Sequence, residues 1–413
     1  MTQPEPSPAS SATSSQPHHR PIAPAPDRVF NSHQVNSNHS ITFRADAPNA
    51  KTVELVSDIT DDIVPLTRGP DGLWTVTTSP LPPGLYSYAF SVDGVDQPDP
   101  RNSLPKPSLI LGASMVLVPG EPAKLWEPAD LPHGVVHSHV YTTDSVEGLP
   151  ANQSRYVVYT PPAYDPESTA SYPVLCLLHG WSDSEIAWTQ IGQAHLILDA
   201  LIASGKAKPM VVIMPLGYGQ MSFVETGIQV WENPAAITAS VMRFQRALLS
   251  EILPQVEPIY NVRRDRESRA IAGLSMGGAE ATVTGLNHLD KFAWIGSFSG
   301  AYVMWPGARG PAPATPPASG GRGGGRGPSS LDAGAFAKNF PSLDAKANAQ
   351  IRLLWVACGT ADGLIGVNRQ FKGWLDSKDV KVTYIEVPEM AHVWPLWRQN
   401  LTDLAPLLFQ AGR

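Results

Sequence analysis

The sequence predicts an α/β protein with a mostly parallel sheet, preceded by a small all-β unit. Three observations carry that prediction. Between Val29 and Val118, short β-prone segments recur at roughly ten-residue spacing with turn signals between them. From His133 onward, short apolar runs alternate with stretches of helical periodicity. The chain has 413 residues, 42% hydrophobic and 16% charged, enough to bury a large core without disulfides.

Taken in order, the first 27 residues are rich in Ser, Pro and Thr and lack the apolar run of a signal peptide, so they read as a disordered leader. Residues 28–120 form the β unit. Ser40–Arg44, Thr52–Val56, Leu73–Thr77, Tyr86–Val92 and Ser114–Val118 are its strands, and Gly69-Pro70-Asp71-Gly72, Pro82-Pro83-Gly84 and Asp93-Gly94 are its turns. Residues 121–132 read as a proline-containing linker.

The second unit, residues 133–413, opens with an antiparallel pair, Val135–Tyr141 and Arg155–Thr160. Val174–Leu178 and Met210–Met214 are continuous apolar runs of the kind buried in parallel sheets, followed by Arg269–Ala272, Ala293–Phe298, Ile351–Ala357 and Val380–Val387. His195–Ser204 is a helix. So is Ile237–Leu253, which Pro254 is expected to end. Residues 306–330 break the pattern. They hold Gly, Pro and three arginines with no apolar run, and read as a flexible insertion.

Proline is in excess, at 41 residues against a usual share of ~5%. Much of it falls in the leader, the linker and the insertion. A net charge of −7 and a pI near 5.9 argue against nucleic acid or an anionic membrane as partner. Cys176 and Cys358 each sit inside an apolar run and read as buried thiols.

The chemistry centres on Gly273-Leu274-Ser275-Met276-Gly277, a G-x-S-x-G between an apolar strand and a helix of small residues. That setting is a nucleophile elbow, in which the glycines let strand and helix approach a sharp turn. A serine hydroxyl needs a base, and on such folds the acid and then the histidine follow it along the chain. Of the two downstream histidines, His288 ends the elbow helix, ~18 Å from the serine at 1.5 Å per residue. His392, on the loop after the last strand, is therefore the base. Asp362 is the first carboxylate after the preceding strand and is the expected acid, with Glu386 and Glu389 as runners-up. The oxyanion is expected to meet the backbone N–H of Met276 and, after the sharp His179-Gly180 turn, that of Trp181. Trp188, Trp231, Trp305 and Trp394 fall near the same sheet edge and are candidates for an aromatic-lined cleft.

Three blocks carry a resemblance: ILDALIASGKAKPMVVIMPLGYG, DRESRAIAGLSMGGAEATVTGLNHLDKFAWIGSFSGAY, and GTADGLIGVNRQF with HVWPLWRQNLTDLAPLLF. They are similar to carbohydrate esterase family one, which contains feruloyl and acetylxylan esterases and is related to the esterase D and enterochelin esterase group. The resemblance implies an α/β-hydrolase fold and serine ester hydrolysis without a metal or organic cofactor. Ser275, Asp362 and His392 would act as triad, with Trp181 and Met276 at the oxyanion. It also implies a plant polysaccharide or oligosaccharide ester as substrate and a secreted or periplasmic setting, with a cytoplasmic one left open. Oligomeric state is left open. So are siderophore, small-molecule and polyester substrates, acyl transfer, and an inactive carbohydrate-binding scaffold. The front unit, with Asp71–Trp74 and Asp99–Asn102, resembles the early-set immunoglobulin-like module found before such esterases. Two departures stand out. Met390-Ala391 replaces the family's Gly-Gly before the histidine, and the insertion falls where relatives place a segment beside the active site, which predicts a mobile flap.

Overall fold

The front unit is built from two antiparallel sheets. The computed structural model describes residues 29–60, 62–308 and 331–410. The leader, and the expected flap from residue 309 to 330, lie outside the described residues. One sheet joins His33–Val35, Ile41–Ala45, Trp74–Thr77 and Thr67–Arg68 in that order. The other joins Val64–Pro65, Val53–Ser57, Gly84–Val92 and Val95–Gln97, with Ser114–Val118 paired to the first half of Gly84–Val92. Alternate residues of Ile41–Ala45 are buried, as a half-buried strand requires. Ile41, Phe43, Leu55, Trp74, Tyr88, Phe90 and Val116 meet between the sheets.

Both motifs singled out in the front unit serve this core. Trp74 is buried, its indole N–H donating to the Ala47 carbonyl at 3.0 Å. Asp99 accepts the Tyr88 hydroxyl at 2.6 Å and the Arg101 N–H at 2.9 Å. Asn102 donates to the Met115 carbonyl at 2.7 Å.

Eight strands make the second unit's sheet: β1 (Val135–Thr142), β2 (Gln153–Thr160), β3 (Val174–Leu178), β4 (Val211–Pro215), β5 (Arg269–Leu274), β6 (Trp294–Phe298), β7 (Leu353–Gly359) and β8 (Thr383–Val387). Their spatial order is β1-β2-β4-β3-β5-β6-β7-β8. β1 and β2 are antiparallel to each other and β2 to β4; every later pairing is parallel. Six helices matter below: α1 (Ala194–Ala203), α2 (Pro234–Ala247), α3 (Leu253–Ile259), α4 (Met276–Asn287), α5 (Ile365–Ser377) and α6 (Trp394–Leu404).

Helices cover both faces, which explains the unbroken apolar runs. In β3, Val174, Cys176 and Leu178 face one core while Leu175 and Leu177 face the other. The first core lies under α2 and α5, with Phe244 and Phe371; the second lies under α1 and α6, with Leu198 and Leu401. Both cysteines are free and buried, and burial pushes the Cys176 thiol up to about 12.

Two expectations change. The helix predicted to stop at Pro254 runs on through it. A π turn over Leu248–Ile252 lets the Leu253 N–H reach the Leu248 carbonyl, five residues back. Pro254 then falls at the start of α3, directly after the π turn, where the hydrogen-bond ladder is already displaced. The linker, for its part, is fastened to both units. Glu127 is buried and accepts the Gly120 N–H at 2.9 Å, and the Arg398 guanidinium lies 4.6 Å over the Trp126 ring.

Candidate active site

The site is assembled at the C-terminal ends of the parallel strands, where βα loops converge. Ser275 follows β5 and precedes α4. Its backbone is held at φ 52°, ψ −113°, outside the regions that L-residues favour. Two glycines permit this. A Cβ on Gly273 would stand 2.5 Å from the Gly277 backbone, and one on Gly277 would stand 2.5 Å from the His179 carbonyl oxygen. The turn is tied down by the Ser275 N–H on the Phe298 carbonyl (2.8 Å) and by the Ala301 N–H on the Ser275 carbonyl (2.9 Å).

Three chemically distinct groups meet here from three loops. Ser275 Oγ is 3.0 Å from His392 Nε2, and His392 Nδ1 is 2.8 Å from Asp362 Oδ2. The arrangement assigns Nδ1–H as donor to Asp362, leaving Nε2 to accept the serine proton. Asp362 sits in the turn after β7, 2% exposed, and its other oxygen accepts the Leu364 N–H at 2.8 Å. Burial alone would raise its pKa. The bond and charge of His392, helped by the Leu364 N–H and the Ser299 hydroxyl, outweigh that and hold the carboxyl below the usual range. His392 remains partly open to solvent, with a third of its side chain exposed.

Of the runners-up, Glu386 is engaged elsewhere. It forms a forked pair with Arg369 at 2.8 and 2.6 Å. His288 caps the far end of α4, as its position predicted.

The loop after β3 lies against the elbow, since a Cβ on Gly180 would stand 3.5 Å from the Ser275 Cβ. His179 shapes this loop. Its Nδ1–H donates to the Gly180 carbonyl at 2.7 Å, while Nε2 accepts the Gly217 N–H at 2.8 Å. Burial drives its pKa down to about 4, so it stays neutral. Among the described residues, the backbone N–H groups of Trp181 and Met276 meet no acceptor. Free backbone donors on the segments that flank a serine are what a developing oxyanion requires.

Trp181 and the four other tryptophans of this edge divide. Trp181 and Trp231 are half-buried with ring centroids 5.6 Å apart, and Trp394 is half-buried two residues past His392. These three remain candidates for a cleft wall. Trp188 and Trp305 do not. Trp188 is buried beneath Trp394, its N–H on the Leu178 carbonyl at 2.9 Å. Trp305 is buried among Tyr302, Phe340 and Phe371, its N–H on the Ala279 carbonyl at 2.9 Å. Both fill core space that a strand-edge position alone does not distinguish from a cleft.

Sequence reasoning passed over Trp397. Its ring meets His392 edge-on at 4.9 Å, and its N–H donates to Ser299 Oγ at 3.2 Å. The signal was the three-residue spacing from Trp394, which puts both rings on one helix face.

A strand–serine–helix elbow joined to a histidine and an acid, on a mostly parallel sheet with helices on both sides, defines the α/β-hydrolase class. The chain belongs to the Esterase family, whose model matches residues 151–407. Over 381 residues it is 27% identical to an endo-1,4-beta-xylanase/feruloyl esterase of Xylanibacter ruminicola, a match covering 91% of this chain and 46% of that protein. The chain therefore spans less than half the length of that relative. Among solved structures, a ferulic acid esterase of Anaeromyces mucronatus, 20% identical, aligns with a TM-score of 0.54 over 68% of this chain and 93% of its own. The enterobactin esterase of Shigella flexneri, 19% identical, aligns at 0.58 over 88% of this chain and 93% of its own. The larger share exceeds what residues 133–413 can supply, so that likeness in fold extends into the front unit.

Proposed function

We propose that this protein hydrolyses carboxylic esters with Ser275 as nucleophile, His392 as base and Asp362 as acid, and that its natural substrate is a feruloyl or acetyl ester on plant polysaccharide such as xylan. The observation that carries the reading is the unbroken chain from Ser275 Oγ through His392 to Asp362, at 3.0 and 2.8 Å. The substrate class takes its support from the Xylanibacter relative, whose name joins xylanase to feruloyl esterase and which this chain matches over 91% of its length.

In this mechanism His392 Nε2 takes the Ser275 proton as the oxygen attacks the ester carbonyl. The Trp181 and Met276 N–H groups receive the oxyanion. Collapse of the tetrahedral intermediate expels the alcohol, which takes its proton from His392. Water then attacks the acyl-serine with His392 again as base. Asp362, ionised throughout, holds the imidazole tautomer and stabilises its charged form. Action on a polysaccharide would place the protein outside the cytoplasm or in the periplasm.

A siderophore ester is the second reading, favoured by the two-unit likeness to the enterobactin esterase fold. One panel separates the two: methyl ferulate, acetylated xylan, p-nitrophenyl acetate and a cyclic catecholate triester, each with the wild type and Ser275→Ala. The expected result is turnover of methyl ferulate or acetylated xylan in preference to the triester. Ser275→Ala should lose on the order of 10⁶ in kcat, as in other serine hydrolases, with unchanged circular dichroism. Preference for the triester would overturn the polysaccharide reading, and substantial activity in the alanine variant would overturn the triad.

A further inference from the structure

The front unit touches the catalytic unit on both sides of the proposed site. On one side, the segment before Ser114–Val118 reaches the loop that carries Trp181. Leu109 donates its N–H to the Ser182 carbonyl at 2.8 Å, and the Ser108 hydroxyl donates to the same oxygen at 3.3 Å. Ser108 and Asp183 form a single antiparallel bridge. On the other side, Met115 is buried with Leu85 against Ala187, Ile191 and Trp394, and Trp394 begins the helix after His392.

The first contact falls on a residue that needs holding. Ser182 has φ +75°, a left-handed conformation that non-glycine residues adopt at a cost. It directly follows Trp181. From within the catalytic unit, the same loop is fixed by His179 on the Gly180 carbonyl, by the Tyr218 hydroxyl on the Asp183 carbonyl at 3.1 Å, and by the Asp183 N–H on the Gly180 carbonyl at 3.3 Å. None of these inner bonds meets the Ser182 carbonyl oxygen itself, although the Asp183 N–H shares its peptide plane and holds that plane from within by the long 3.3 Å bond. Among the described residues, the hydrogen bonds to that oxygen come from Ser108 and Leu109. Rotation of the 182 peptide would carry the adjoining Trp181 backbone with it, because consecutive peptide planes share only two soft torsions per residue.

We propose that the front unit is a positioning part of the active site: Ser108 and Leu109 hold the Ser182 carbonyl so that the Trp181 N–H stays aimed at the developing oxyanion. This rests on the esterase reading above, with Trp181 as oxyanion donor. Ser108 and Leu109 are positioning residues, since neither is placed at the reacting atoms. A docking segment that merely glued two units together would have no reason to spend both donors on one strained residue beside the proposed oxyanion hole.

The test uses the full chain. Leu109→Pro deletes the donated N–H, and Ser108→Ala deletes the hydroxyl. Leu111→Ala, on the same segment with an exposed side chain, is the control. Each is assayed on p-nitrophenyl acetate for kcat and KM, and for inhibition by a phenylboronic acid, whose serine adduct presents a tetrahedral oxyanion. The expected result is a ten- to hundredfold fall in kcat for Leu109→Pro and a severalfold fall for Ser108→Ala. KM should stay within twofold, and the boronate inhibition constant should rise in parallel with the loss in kcat/KM. The control should match the wild type. Unchanged kcat in the folded variants, or an effect confined to KM, would overturn the proposal. So would failure of both variants to fold, which would make the contact a folding element. If the wild type is active through Ser275 and the clamp variants equal it, only the positioning role falls. If Ser275→Ala keeps full activity, the esterase reading falls first.

Discussion

Ser275 is held in a backbone conformation that an L-residue would leave if it could, and the surrounding bonds prevent it. The strain presents Oγ to His392. Asp362 contributes in the opposite sense, as a buried carboxyl whose partners keep it ionised. Because its folded pKa is lowered, its contribution to stability is present above the ordinary carboxylate range and is lost as pH falls through the folded value. Asp362→Asn would keep the packing but could steady the wrong imidazole tautomer. The expected outcome is a loss of about 10⁴ in kcat, the size seen for this change in another serine hydrolase, with a thermal midpoint within a few degrees of the wild type. A loss below tenfold on p-nitrophenyl acetate would remove Asp362 from the triad. Glu280 is a second buried carboxyl. It lies on α4 without a hydrogen-bond partner among the described residues, and burial raises its pKa well above the usual range.

At the scale of elements, the histidine loop depends on the end of β7. The Gly-Gly pair that the family resemblance leads one to expect before His392 is absent, and the close approach is made instead at Gly359. A Cβ there would stand 1.9 Å from the Met390 carbonyl oxygen, a contact no small relaxation relieves. That carbonyl also accepts the Ala361 N–H at 3.1 Å, which ties the turn of Asp362 to the loop of His392. Gly359→Ala should therefore push the loop away from Ser275. Since misplacing a catalytic group by about 1 Å can cost roughly 10²-fold, kcat should fall at least tenfold, with overpacking of about 1–3 kcal/mol in urea unfolding. Wild-type kcat in that variant would show that the loop is not set by this contact. The elbow was legible in the sequence because strand, turn and helix are consecutive. The proposed triad was read from the order of strand ends. The partner of Met390 was not legible, because it comes from another strand through a backbone contact that leaves no residue pattern.

Across the whole molecule, the two units are joined at a seam with a buried acid in it. Asp183 lies against the front unit, and burial pushes its carboxyl up to about 7 despite the attraction of Lys106. The sign follows from linkage. A carboxyl raised in the folded state favours the protonated form, so the fold loses stability as pH rises from the unfolded pKa near 4 to the folded value near 7. Asp183→Asn removes that term. Its stability relative to the wild type, measured by urea unfolding at pH 4.5, 6 and 8, should rise across the series by a few kcal/mol at most, at about 1.4 kcal/mol per pKa unit. A pH-independent difference would mean that Asp183 ionises freely in the folded state.

By itself, the sequence determined what depends on neighbours along the chain. It marked the elbow at Ser275 and the alternation of apolar runs that makes a sheet buried on both faces. It also marked the strand-end order that singles out Asp362 and His392. Tertiary structure alone decided what depends on distance through space. It sent Trp188 and Trp305 into the core while leaving Trp181, Trp231 and Trp394 half-open, brought Trp397 against His392, and carried α2 and α3 past Pro254 by a π turn. It also set Ser108 and Leu109 on the carbonyl of Ser182. The physical reason is common to all of these. Periodicity reports which face of an element is apolar, but an aromatic ring or a backbone carbonyl acquires its role only from what another segment places within a few ångströms of it.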